Sequence, residues 1–141
     1  MDLLAFHLGN VNWLAVLVAL LPSFAIGSVW YAPQVFGNYW MKQVGLKPKD
    51  AEKSNMLQTL GVTTVMNFVA VTGLAVLMSA LYFDSIAQGA ALGALVSLVF
   101  SATSRGTHLA FEQKKGAGLF FLNGIHDALF LTVAGAILGA F

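Results

Sequence analysis

The sequence predicts an all-α integral membrane protein: a four-transmembrane-helix bundle with a short interfacial helix after its first span. Three observations predict it. The chain of 141 residues is 58% hydrophobic and only 9% charged, whereas a soluble domain carries about 25% charged residues. So few charges cannot cover a water-facing surface. Crossing the hydrocarbon core takes roughly 20 mostly apolar residues, and four stretches qualify: about 11–31, 60–82, 86–112 and 118–140. Finally, every lysine falls in two of the intervening loops.

The N-terminus, "MDLLAFHLGNVNW", has an acid and no lysine or arginine. A secretory signal needs a positive n-region, so no cleavage is expected and Val11–Tyr31 is read as a permanent span. Pro22 lies inside it and is expected to kink it, because proline leaves the carbonyl four residues earlier unpaired. His7 falls outside it, as a surface or interfacial histidine.

The first span runs into "WYAPQVFGNYW", at Trp30–Trp40, which is rich in rings and free of charge. Trp and Tyr prefer the membrane–water interface. Pro33 disfavours helix at Ala32, so the span is expected to end there. Phe36, Trp40 and Val44 then recur at i, i+4 and i+8, one apolar face of a short helix lying in the interface. Gly45 can end that helix. The hydrophilic "LKPKDAEKSN" completes a connector over 33–58, with Pro48, Asp50 and Glu52 placed to start a further short helix.

Span two, Leu60–Tyr82, has one strongly polar side chain, Asn67, expected to form an interhelical hydrogen bond. Ser85 and Gln88 then have the S-x-x-Q spacing of a capping box and start span three, Ile86–Glu112. Lys114 and Lys115 suit its C-terminus, and Gly116 suits the left-handed position after it. Span four, Gly118–Ala140, follows at once, so spans three and four make a tight hairpin.

Four spans put the loops after spans one and three on the same side. These hold Lys42, Lys47, Lys49, Lys53, Lys114 and Lys115, while the tails and the middle loop hold no lysine or arginine. Cytoplasmic loops carry that excess. Both basic loops are therefore expected inside, and both termini outside.

Several function classes are excluded or disfavoured. A net charge of +1 is no nucleic-acid footprint. No cysteine is present, which removes disulfides and thiolate metal sites. No nucleophile–base pair, metal-ligand set or phosphate-cradling glycine loop stands out, so neither an enzyme nor a cofactor is expected.

The stretch "IGSVWYAPQVFGNYWMKQVG", at Ile26–Gly45, resembles the signature of domain-of-unknown-function family 1761, small bacterial integral membrane proteins. Members end the first span with a W-Y-x-P step, here Trp30, Tyr31 and Pro33. F-G follows, here Phe36 and Gly37, and then W-M, beginning at Trp40. "RGTHLAFEQKKGAGLFFLNGIHDALFLTVAGAILG", at Arg105–Gly139, is similar to the family's last hairpin, with a His-x-x-x-Glu ending, an Asn, a His on the last span and a small-residue tail. The resemblance implies a four-span protein of a bacterial inner membrane. It implies no activity.

Ionisable residues within spans are rare and usually face the bundle interior. Arg105, His108 and Glu112 share one face of span three at i, i+3 and i+7, and Asn123, His126 and Asp127 share one face of span four. Folding the hairpin about Lys115 brings Arg105 level with Ile125–His126, within a turn of Asp127, and His108 level with Leu122–Asn123. The expected cluster is an Arg105–Asp127 pair with His108, Asn123 and His126 around it. Two roles are open: a structural lock between helices, or a site for a proton or a small polar cargo. Two histidines without further ligands make no metal or haem set.

Gly89, Gly93, Ser97 and Ser101 recur every fourth residue in span three, and Gly135 and Gly139 follow the same spacing in span four. Small residues at that spacing let helices approach closely, within a protomer or between protomers. Four helices are too few to enclose a wide aqueous path, so transport would call for a homo-oligomer. The expected partners are the lipid bilayer, further copies of the chain and an unidentified small-molecule cargo. The alternative is an accessory membrane protein in which the cluster only locks the fold.

Overall fold

A computed structural model describes residues 3–47, 55–112 and 117–141, which are helical with no strand among them. The α-helices are α1 (Leu3–Gly9), α2 (Trp13–Trp30), α3 (Asn38–Val44), α4 (Met56–Leu81), α5 (Ile86–Val96), α6 (Thr103–Glu112) and α7 (Ala117–Leu138). Two π-helical segments interrupt them, Pro33–Gly37 before α3 and Ser97–Ala102 between α5 and α6. Four helical runs are long and apolar enough to cross a membrane: α2, α4, the run from Ile86 to Phe111, and α7. The expected fold class is therefore observed. Span two starts earlier than expected, at Met56, because Asn55 caps it there by accepting from the Gln58 N–H at 3.2 Å.

Local sequence accounts for the other ends. Asn12 caps α2 by accepting from the Ala15 N–H at 3.2 Å. Ser85 caps α5, accepting from the Gln88 N–H at 3.4 Å, while Gln88 Oε1 accepts from the Asp84 N–H at 3.2 Å. This is the expected capping box with its return bond moved back one residue. Gly45, at φ 74°, ends α3 in the left-handed region that favours glycine. The expected helix at Pro48 and the expected roles of Lys114, Lys115 and Gly116 lie outside the described residues, as does the Glu112 side chain.

α7 is the hub, packed against α2, α4 and α5. Val16, Ala19, Val71, Phe130 and Ala134 form the main core. The α5–α7 contact is made by glycines. A Cβ on Gly89 would overlap the Gly135 carbonyl, and one on Gly135 would overlap the Gly89 carbonyl. Gly93 stands in the same relation to the Leu131 carbonyl, and Gly139 to that of Ser85. Backbone meets backbone, at the range where Cα–H···O contacts form. The four glycines of the small-residue pattern are thus used inside one protomer. Ser97 is buried beside them.

α4 behaves differently along its length. Its buried residues, Val71, Leu74, Ala75 and Met78, all lie in the second half. The first half is less covered, exposing Leu57, Leu60, Val62, Val65 and Met66, although Phe68 at its end stacks on Trp13 with ring centroids 6.4 Å apart. The hydrogen bond expected of Asn67 is not made among the described residues. α1 lies across the far end of α4, where His7 Nδ1 is 3.0 Å from Ser79 Oγ. No helix before span one is expected from the sequence pattern.

Candidate functional site

The aromatic segment folds back on itself. Ala32 is extended (φ −62°, ψ 141°), as a residue before proline prefers. Pro33 ends α2, and the chain turns through one π-helical loop in which the Gly37 N–H donates to the Ala32 carbonyl at 2.9 Å. Any Cβ at Gly37 would overlap the Tyr31 carbonyl. Asn38 Nδ2 donates to the Pro33 carbonyl at 2.9 Å and closes the turn. The turn then brings Phe36 against Trp30, with ring centroids 4.7 Å apart, and Trp40 edge-on to Tyr31 at 5.8 Å. The Tyr39 hydroxyl abuts Gly118 at the start of α7, where a Cβ would have to displace it. Trp30, Phe36 and Tyr39 on one side, with Phe121, Leu122 and Ile125 on the other, line an open apolar groove of about 460 Å³.

The polar cluster forms beside this collar. Arg105 on α6 pairs with Asp127 on α7 through Nη2 and Oδ2. Ser101 Oγ donates to the same Asp127 oxygen at 2.9 Å and accepts from Arg105 Nε at 3.3 Å. Asp127 Oδ1 is 3.2 Å from His126 Nδ1. Arg105 and Asp127 side chains are 38% and 25% exposed, so the pair is only partly withdrawn from its surroundings. The π segment 97–102 carries Ser101 into this position, and π-segments often occur at functional sites. Thr103 Oγ1 donates to the Val99 and Phe100 carbonyls just past it.

One expected member is absent. His108 is exposed and makes no hydrogen bond or ion pair among the described residues. The inward face of α6 runs through Arg105, Gly106 and Leu109, with Gly106 opening onto the Phe120 ring. His108 is turned off that face. At about 100° per residue, His108 lies roughly 60° to one side of Arg105, whereas Gly106 and Leu109 lie to the other, so the face that meets α7 leaves His108 outside.

Two members were not anticipated. Ser101 reads in sequence as one more small packing residue, although its place four residues before Arg105 was a usable signal. Tyr31 reads as an interfacial ring, yet its hydroxyl donates to Asn123 Oδ1 at 2.9 Å. Its ring lies 5.3 Å from that of His126, and Trp30 lies 6.2 Å from it on centroids. The aromatic motif and the polar cluster are therefore one site. Within it, His126 Nε2 and Trp30 Nε1 are buried and without a hydrogen-bond partner. Gly27 faces the histidine: a Cβ there would sit 3.7 Å from Nε2. No group of three or more metal-ligating side chains is found among the described residues.

A family model described as a protein of unknown function, DUF1761, matches residues 14–139. The chain belongs to the DUF1761 family. No curated protein matches it, and no solved structure does. The matched span of this DUF1761 protein takes in α2 through α7, and so the whole collar and the whole cluster, but not α1. In it, the W-Y-x-P and F-G steps of the signature have a physical reading. They build a turn that only glycine at position 37 permits, and they deliver Tyr31 to Asn123.

Proposed function

We propose that this DUF1761 protein is a membrane binding or transport module that takes a proton or a small polar solute at His126 and Asp127. The observation that carries the reading is the pair of buried, unpartnered nitrogens, His126 Nε2 and Trp30 Nε1, beside a carboxylate whose other contacts are made. A buried polar atom without a partner costs free energy, and an incoming proton, water or solute atom relieves it. In this reading Arg105 and Ser101 hold Asp127 in place. Asp127 orients the imidazole, and Tyr31 and Asn123 form the wall. The lysine distribution supports placing the collar at the cytoplasmic face of a bacterial inner membrane, with both termini outside.

The test is proton movement into liposomes that contain the purified protein and a trapped pH dye, under an imposed gradient. The parent should carry protons or a co-supplied small solute faster than empty liposomes. Asp127→Asn and His126→Gln should bring the rate to background while the protein still assembles. Equal rates for parent and Asp127→Asn would sink the reading.

A second reading is favoured by the ion pair itself. Arg105 and Asp127 join α6 to α7 with Ser101 between them, as a fold lock would. It predicts loss of stability with no loss of flux.

A further inference from the structure

Asn67 lies in the middle of span two, on the face by which α4 meets the bundle. α4 packs on the bundle through Val71, Leu74, Ala75 and Met78. At helical spacing the same face continues toward the basic-loop end as Asn67, Thr64 and Leu60. There the helix packs loosely: Leu60 is 44% exposed, and Thr64 and Asn67 are half-buried. Asn67 lies about eleven residues, or roughly 16 Å, along α4 from Met56. That is near the middle of a hydrocarbon core about 30 Å thick. Its amide has no hydrogen-bond partner among the described residues. Thr64 Oγ1 donates to the Leu60 carbonyl at 2.7 Å and Ser23 Oγ to the Leu20 carbonyl at 2.7 Å, while Thr63, one turn before Asn67, makes no bond to it.

Lipid tails offer an amide nothing, and water is scarce at that depth. The group needs a protein partner, and its chemistry says which. An amide carries both donor and acceptor. Two identical amides related by a twofold axis satisfy each other, which is the self-complementary arrangement of a symmetric dimer. No charge lies on this face to call for a partner of opposite sign. The glycines that could have joined two protomers are already occupied within one. We propose that the chain forms a homodimer across the near half of α4. The Asn67 amides of the two copies bond to each other, and Leu60 and Thr64 pack around the crossing. This interface does not depend on what binds at His126.

The natural chain has no cysteine, so single cysteines report directly. Full-length Leu60→Cys and Thr64→Cys variants, oxidised in liposomes, should form disulfide-linked dimers. Val62→Cys and Val69→Cys lie about half a turn around the helix and should remain monomeric on the gel. All four positions are at least partly open to lipid, so these variants keep the fold. Energy transfer between labelled copies should show Asn67→Leu weakening association by about threefold to thirtyfold. Asn67→Gln, which keeps the amide, should retain most of the affinity. The proposal is overturned if the protein is monomeric in lipid, if Val62→Cys and Val69→Cys cross-link as readily, or if Asn67→Leu leaves the affinity unchanged.

Discussion

The two halves of this bundle are built on opposite rules. Far from the basic loops, α5 and α7 meet through bare backbone at Gly89, Gly93, Gly135 and Gly139, and α4 closes over them with Val71, Leu74 and Met78. Every position there is dictated by contact distance. Near the basic loops α4 is less covered, a π segment loosens span three, and the contacts are ion pair, hydroxyl, amide and ring. Two buried nitrogens in that half have no partner. The far half has an unpartnered group too, the buried Thr72 Oγ1, so the contrast lies in the kind of contact: backbone on backbone there, ionisable and aromatic side chains in the near half.

The sharpest way to break that contrast is to put side chains into both halves. Gly135→Leu forces atoms into the Gly89 carbonyl, and α5 has to move away. A loss of at least about 3 kcal/mol is expected, because the obstacle is backbone rather than a movable side chain. It should appear as loss of folded protein on size-exclusion chromatography in detergent. A variant that stays folded with an unchanged melting temperature would mean that the glycine contact does not hold this half.

The next effect is smaller because its groups are partly exposed. Asp127→Asn and Arg105→Ala should each cost about 1–2 kcal/mol, below the range for a fully buried pair. Their double variant should cost less than the two combined if the residues act as a pair. Melting curves of the four proteins in one detergent measure this. Fully additive losses would remove the lock. A strong coupling with unchanged proton flux in Asp127→Asn would favour the lock over the binding reading.

Much of the far half was legible in the sequence, for a physical reason. Glycines at every fourth residue and long apolar runs are local patterns, and membrane packing turns them directly into contacts. The Arg105–Asp127 pair was legible too, since charges in a span seek each other. What could not be read was anything that depends on breaking helical periodicity. The π segment at 97–102 has no sequence marker that separates it from ordinary helix, and it is what carries Ser101 to Asp127. The turn at Pro33 was foreseen as a stop but not as a reversal, so the bond from Tyr31 to Asn123 came only with the fold. The openness of the first half of α4 likewise has no local signature, since an asparagine in an apolar span looks the same whether bonded or not.

Tyr31→Phe tests whether the collar belongs to the polar half or only borders it. The change removes the hydroxyl that donates to Asn123 and leaves the ring contacts to Trp40 and His126. One neutral hydrogen bond contributes about 0.5–1.5 kcal/mol, so the melting temperature should fall slightly. If the wall matters to binding, flux should fall by more than stability does. A variant with parental flux would assign the collar to anchoring alone.

Gly27→Ser should have the smallest effect on stability and runs in the opposite direction. A Cβ at position 27 would stand at ordinary contact distance, 3.7 Å, from His126 Nε2. A serine hydroxyl extends from that carbon toward the unpartnered nitrogen, within hydrogen-bond reach. Serine also costs less than glycine inside a helix. The variant is therefore expected to gain about 0.5–1 kcal/mol, read as a small rise in melting temperature. Its value lies in what that gain does to function. If Nε2 is where a proton or solute atom arrives, filling its vacant contact with a fixed hydroxyl should stabilise the near half and slow flux together. That inverse relation is what a group left unsatisfied for binding produces, since activity and stability then draw on the same unmade bond. A fold lock predicts otherwise, because a more complete hydrogen-bond set would strengthen the lock and leave flux untouched. A rise in melting temperature with parental flux would thus place the unpartnered histidine among the packing defects of the bundle, and the near half would differ from the far half only in the kind of contact that holds it.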